Sequence, residues 1–340
     1  MQSLRGYNRE VIKMSKAEEI LIPLDLSTLD KPEARKMEAL DRVGKEAEKG
    51  YWMIGAVGIL EEEKLLLECS LYSVKEEGFL SRNKEIEGAL LRIKEQTLGK
   101  KAIYLMDMGF DDAKMMKGIE EQGDKFIVRA YHDRGIEVKG KRRKLKAYLK
   151  EKKIALYLEL QVKVKEARKK VKFSLKYIPE GYIEVEGKKL KVGVIYLESK
   201  EEELREMMLI TNLEVKDGMG AVEVVRKYLR RWVVEDFFKF VKDSLKLEAI
   251  RVLELGKIRA LLSWVMVAAG YIYGIHSRMN GEEEIIRVLG TLGGWIGRGK
   301  IGKEVLKRGL ERFLELINTI AILEALGADI GKMRKAIVGR

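Results

Sequence analysis

Between Glu19 and Thr28 the chain reads EILIPLDLST, a short apolar run that gives way to polar residues, the pattern of a buried strand. Tyr51 to Leu60 (YWMIGAVGIL) and Lys64 to Val74 (KLLLECSLYSV) predict two more strands joined by a charged turn. From Arg82 to Leu98 the spacing changes to that of a helix, with Ile86, Ala89, Leu90, Ile93 and Leu98 on one side. A strand comes next in AIYLMDMGF, then a helix from Asp111 to Gln122, then the strand KFIVRAY. Three strands, helix, strand, helix, strand describe an α/β domain that opens with a meander and continues through crossover helices.

From Asp133 to about Lys200 the texture alternates, as in QVKVKEARKKVKFSLKYI and GYIEVEGKKLKVGVIYLE, which predicts a β-rich insertion. Its first part, KGKRRKLKAYLKEKK, carries nine basic residues in fifteen, a solvated strip or, beside DNA, a track for the backbone. After Asn212 the pattern is helical almost to Arg340. The longest uncharged run, Leu261 to Ile275, is shorter than the roughly 20 residues a membrane span needs and reads as a buried helix.

Within the helical part, YLRRWVVEDFFKFVK reads as one amphipathic helix from Tyr228 to Lys242. Tyr228, Arg231, Glu235, Lys239 and Lys242 fall within a stripe of about 80°, opposite Leu229, Val233, Val234, Phe237, Phe238 and Val241. Arg230 is the exception, since this geometry puts it among the apolar positions. Two readings stay open. Arg231, Glu235 and Lys239 at four-residue spacing make ordinary surface ion pairs. Alternatively, Glu235 is a metal ligand and the cations around it hold phosphates.

Composition narrows the chemistry. Lys and Arg outnumber Asp and Glu by 67 to 54, and the net charge of +13 predicts a polyanionic partner, for which nucleic acid fits better than a membrane surface. One cysteine, Cys69, excludes an internal disulfide and suits a reducing cytosol. Two histidines, His132 and His276, exclude a three-histidine zinc site, so carboxylates must carry any metal chemistry. Asn and Gln together number nine, which suits a thermophilic source, although 14 methionines do not.

Asp25 and Asp107 both stand at the carboxyl ends of predicted strands, where open α/β sheets place their active sites. Two-metal phosphoryl transfer uses hard cations roughly 4 Å apart, held by carboxylates. Asp25, Asp107 and Glu235 are the candidates. Taken singly, Asp25 and Asp107 also fit strand-end turns, and Asp111 and Asp112 fit helix N-caps better than metal ligands.

Tyr228, Arg231, Glu235 and Lys242 match without a gap the Y-(2)-R-(3)-E-(6)-K signature, and here the sequence resembles the IS4-type DDE transposases. LIPLDLSTLDKPEARKME resembles that family's first-aspartate segment and YLMDMGFDD its second, in the family's order. The resemblance implies an RNase H-like mixed sheet with flanking helices, a β-rich insertion and a helical C-terminal region. The implied division is a short N-terminal segment (1–18), a catalytic core (19–132 and 201–275), the insertion (133–200) and the C-terminal region (276–340). It further implies that Asp25, Asp107 and Glu235 bind two Mg²⁺ or Mn²⁺ ions and that Tyr228, Arg231 and Lys242, with Lys239 on the same stripe, hold phosphates. The implied partner is double-stranded DNA at the ends of a mobile element, bound by a homodimer in a prokaryotic, nucleoid-associated, membrane-free setting.

The sequence departs from that family in two places. Twenty-four residues precede Asp25, fewer than the relatives' helical end-binding domain needs. The four tryptophans lie outside the insertion, where some relatives stack a flipped base, which leaves Tyr148, Tyr157, Phe173, Tyr177, Tyr182 and Tyr196 as substitutes. A nuclease without strand joining, and a non-catalytic DNA-binding remnant, are the alternatives.

Overall fold

The computed structural model describes residues 2–277 apart from 45, 62, 98, 165–166, 202–205, 245–246 and 250–251, together with 290–294 and scattered positions from 305 to 315. Most of the expected C-terminal region, 276–340, therefore lies outside the described residues.

Strand β1 (Glu19–Asp30) is the axis of the core. It pairs antiparallel with β3 (Glu48–Leu60), which pairs antiparallel with the short β2 (Asp41–Val43) and with β4 (Glu63–Tyr72). On its other side β1 runs parallel to β5 (Lys101–Met106), and β5 parallel to β6 (Lys125–Arg129). This is the RNase H-like order, an antiparallel meander continued by parallel strands. Pro23 has no N–H to give, and pairing with β3 lapses between Leu21 and Leu24 without a change of register.

Helices cover both faces. Ile20, Ile22 and Leu24 of β1, with Tyr104 and Met106 of β5, face α2 (Arg82–Thr97) and α3 (Ala113–Glu121) through Ile86, Leu90, Ile93, Met116 and Ile119. The opposite face carries α5 (Gly218–Leu229), α6 (Trp232–Lys239) and α7 (Leu255–Ser277). The N-terminal segment, for which the sequence suggested no element, forms helix α1 (Gln2–Met14). α1 contributes Leu4 to one cluster and Val11 and Ile12 to the other.

The β-rich segment continues the same sheet. β6 pairs antiparallel with β12 (Glu206–Thr211), β12 with β11 (Lys188–Ser199), and β11 with the long β10 (Ala167–Val185). Against β10 lie β9 (Leu156–Val164) and the hairpin of β7 (Gly135–Val138) and β8 (Lys141–Lys144), which leads into a short helix, α4 (Leu145–Glu151). All four residues of β8 are exposed cations, which blunts this outermost edge against further strand pairing.

Two expectations change. The stretch from Tyr228 to Lys242 is three pieces: α5 ends at Leu229, α6 starts at Trp232, and a π-helical segment spans Phe240–Ser244. Around the break the amides of Arg231, Val233 and Val234 bond to carbonyls three residues back, so the chain tightens and changes its angular register. That swings Arg230 away from the core, where its Nη2 donates to the Glu61 carbonyl at 3.0 Å. The run from Leu261 is likewise not a wholly buried helix. α7 buries Ile258, Leu262, Met266 and Ala269 but leaves Trp264 72% exposed.

Gly55 fixes how close α6 comes to the sheet. A Cβ there would stand 2.4 Å from the Phe238 ring, so only hydrogen lets α6 rest on β3 opposite Asp25. Gly55→Ala is therefore predicted to destabilise the protein by about 1–3 kcal/mol through overpacking. Urea denaturation measures this, and an unchanged midpoint would contradict the tight seat.

Candidate active site

The parallel ladder between β1 and β5 ends at the pair Leu24 and Met106. The next residue along each chain is an aspartate, Asp25 on one and Asp107 on the other, on strands about 4.8 Å apart. β6 adds a third place to the row. Its Val128 is level with Met106, so Arg129 comes next where Asp107 does. Glu235 comes from the first turn of α6, one turn before the Phe238 that rests on Gly55.

Arg231 ties the group together. Its Nη1 lies 3.3 Å from Asp25 Oδ2 and its Nη2 2.5 Å from Glu235 Oε1, and its side chain is 7% exposed. The guanidinium sits 6.0 Å from the centre of the Tyr228 ring. The Tyr228 hydroxyl donates a long hydrogen bond, 3.4 Å, to Asp107 Oδ1. Five of the seven residues singled out from the sequence thus meet, Asp25 and Glu235 on Arg231 and Asp107 on Tyr228, whose ring lies beside that arginine. The predicted pairing of Arg231 with Glu235 is present, but Arg231 and Tyr228 are buried instead of lying on a solvated stripe. Lys239 is exposed on α6, and Lys242 is half-buried in the π-helical segment.

Burial and crowding set the protonation. Burial raises the Asp25 carboxyl; Arg231 and the Leu26 N–H, which donates to Oδ1 at 2.8 Å, pull it down; and Asp107 and Glu235 push it up again. It ends at about 6. Burial works against the Arg231 charge, but Tyr228, Asp107, Asp25 and Glu235 outweigh it and hold the guanidinium above its ordinary value. Tyr228 is raised mainly by burial.

The three acids offer only carboxylate oxygen, the donor that Mg²⁺ and Mn²⁺ prefer. Arg231 offsets one of their three charges and Arg129, next to Asp107 in the row, a second, so the ionised site keeps a net negative charge, which suits divalent cations. With Arg231 between them, no three His, Cys, Asp or Glu side chains among the described residues are gathered closely enough to hold a metal ion.

Arg129 escaped the sequence reading. It is half-buried, it stands next to Asp107 in the row, and its charge acts on Tyr228. The available signal was the cation closing the apolar strand KFIVR, next to a strand that closes on aspartate. Asp112 is the N-cap of α3, as its position suggested, accepting from the amides of Lys114 and Met115. Asp111 is not a helix N-cap. It accepts from the amides of Tyr131 and His132 and pairs with Arg134, pinning the chain after β6. Of the aromatics in the β-rich segment, Phe173 and Tyr196 are buried, Tyr148 lies beneath Arg143 and Lys152, and Tyr157 is 75% exposed.

Among known proteins, the model of the family described as transposase DDE domain matches residues 81–270, a span that contains Asp107 and Glu235 but not Asp25. The chain is also similar to a chain of the piggyBac transposase synaptic complex with hairpin DNA, solved by cryo-electron microscopy, at 10% identity and a TM-score of 0.46. That similarity covers 87% of this chain and 52% of the other, so this chain spans about half of that protein's length. No curated protein matches the sequence. Among the described residues no helix is long and apolar enough to cross a membrane.

The Asp25 carboxyl gives a pH signature. A folded pKa of about 6, above the unfolded 3.8, means that the native state binds the extra proton between those values. Stability therefore falls as pH rises from about 4 through about 6 and carries a constant penalty above that. With divalent ions chelated, Asp25→Asn is predicted to be more stable than the parent at pH 7–8 by on the order of 2 kcal/mol, with no gain below pH 4. Denaturation curves across that range test this, and a pH-independent difference would contradict it.

Proposed function

The chain belongs to the transposase DDE-domain family, and from that premise we propose that it cuts and joins DNA strands at the ends of a mobile element, using divalent metal ions. The observation that carries this reading is the meeting of Asp25 and Asp107, level on adjacent parallel strands, with Glu235 through one arginine. The spacing of Tyr228, Arg231, Glu235 and Lys242 favours an IS4-type member.

Asp25, Asp107 and Glu235 would hold two Mg²⁺ or Mn²⁺ ions. Bound there, such ions would supply Lewis-acid activation of an attacking water or DNA 3′-hydroxyl and charge neutralisation at the leaving oxygen. The protein's own residues do the rest. Asp25 lies within β1, Asp107 directly follows β5 and Glu235 stands in the first turn of α6, so regular elements hold the carboxylates more rigidly than loops would. Arg231 and Arg129 offer planar, bidentate donors for phosphate, and Lys239 and Lys242 add point charges along the way in. The Tyr228 hydroxyl donates to Asp107 and orients it. No protein nucleophile is required, which agrees with a site built without serine, cysteine or histidine. Two such chains, one at each DNA end, would make the working assembly.

Asp107→Asn is predicted to lower Mg²⁺- or Mn²⁺-dependent cleavage of a duplex carrying an element end by roughly a thousandfold or more, in line with losing a group that acts mainly in the transition state. Retention of the same duplex in a mobility-shift assay should change only a few-fold. Undiminished cleavage by the variant would contradict the assignment, and products that are cut but never joined would limit it to a nuclease.

A further inference from the structure

Both oxygens of Asp25 are engaged. Oδ1 accepts from the Leu26 amide at 2.8 Å, a bond fixed by the backbone, and Oδ2 faces Arg231 Nη1 at 3.3 Å. Glu235 Oε1 is taken by Arg231 Nη2 at 2.5 Å. A cation that coordinates Asp25 Oδ2 and Glu235 Oε1 together therefore competes with the guanidinium for both oxygens. Arg231 is itself incompletely satisfied, since its Nε is buried without a hydrogen-bond partner. An unpaired buried donor is unfavourable, and a phosphodiester, which accepts two parallel N–H bonds, suits the guanidinium fork better. The side chain also leaves the backbone at the tightened turn between α5 and α6, so its head can swing without dragging a helix.

Resting on the transposase reading above, we infer that Arg231 is an exchangeable internal counter-ion. It holds Asp25 and Glu235 until DNA phosphate draws it away, and the vacated carboxylates then take up divalent metal. Metal loading is thereby coupled to DNA binding, and the coupling is reciprocal: bound metal tightens DNA and bound DNA tightens metal by the same factor. The physical benefit is that a cation-loaded, strand-cutting centre forms only where a phosphate is present to be cut.

Mn²⁺ binding to the full chain, read from the loss of the free-ion electron paramagnetic resonance signal, tests this without any cleavage step. A short duplex is added or omitted, and Mn²⁺ bound by the duplex alone is subtracted. The duplex is expected to tighten Mn²⁺ binding by the parent at least tenfold. Arg231→Gln is expected to bind Mn²⁺ tightly without DNA and to gain less than twofold from it. If Arg231→Gln does not fold, Arg231→Lys replaces it, and the parent with and without duplex still decides. Equal Mn²⁺ affinity of the parent in both states, or an equal gain in parent and variant, overturns the inference. Asp107→Asn separates the two levels: Mn²⁺ binding that survives this change undiminished overturns the carboxylate site itself, whereas binding that is lost while the duplex has no effect on the parent overturns only the exchange.

Discussion

The register of two parallel strands is the constraint on which the site depends. β1 and β5 pair up to Leu24 and Met106, so the next residue on each strand must stand beside its counterpart on the other. Those two residues are aspartates. Placing two carboxylates at the spacing of neighbouring strands and then covering them with helices is unfavourable, and the position of Asp25 at about 6 records that cost. A buried arginine that reaches both Asp25 and Glu235 offsets it, and the remaining negative charge is of the kind a divalent cation can neutralise.

The helical layer is set by the same geometry. Gly55 faces Asp25 across β1 and β3 and admits the Phe238 ring, so α6 is seated beside the aspartates and not above some other part of the sheet. Glu235 precedes Phe238 by three residues and thus lies on the same flank. The break at Arg230 and Arg231 lets α5 and α6 take different directions, so Tyr228 reaches Asp107 while Arg231 reaches Asp25. A single straight helix would have aligned these side chains along one solvated stripe.

Much of the core was legible because its signals are local. Apolar runs such as EILIPLDLST and AIYLMD declared buried strands, and the change to polar residues marked Asp25 and Asp107, but Asp25 is not at a strand end: β1 runs on to Asp30 against β3, and only its parallel pairing with β5 stops at Leu24. Other features were hidden because their causes are not local. Hydrophobic periodicity cannot register a one-residue tightening, so α5 and α6 read as one helix. β2 and α4 are too short to show a period, and α1 buries only a few scattered apolar side chains, among them Leu4, Val11 and Ile12, in a mostly polar segment. Continuity of the β-rich segment with the core rests on pairing between Thr211 and Ile127, 84 residues apart along the chain, which no local pattern carries. Arg129 was missed for the same reason, since its importance is its level beside Asp107 and not its neighbours in sequence.

Strand register, a close glycine and a buried arginine together bring Asp25, Asp107 and, through the arginine, Glu235 to one end of the parallel strands. The most direct test is a crystal structure of the chain with Mn²⁺ and a DNA duplex, with the ions located by their anomalous scattering. Manganese is expected to be held by Asp25, Asp107 and Glu235, with the Arg231 guanidinium turned onto a phosphate. Manganese bound elsewhere, or Glu235 remote from both aspartates in that complex, would contradict a shared carboxylate centre.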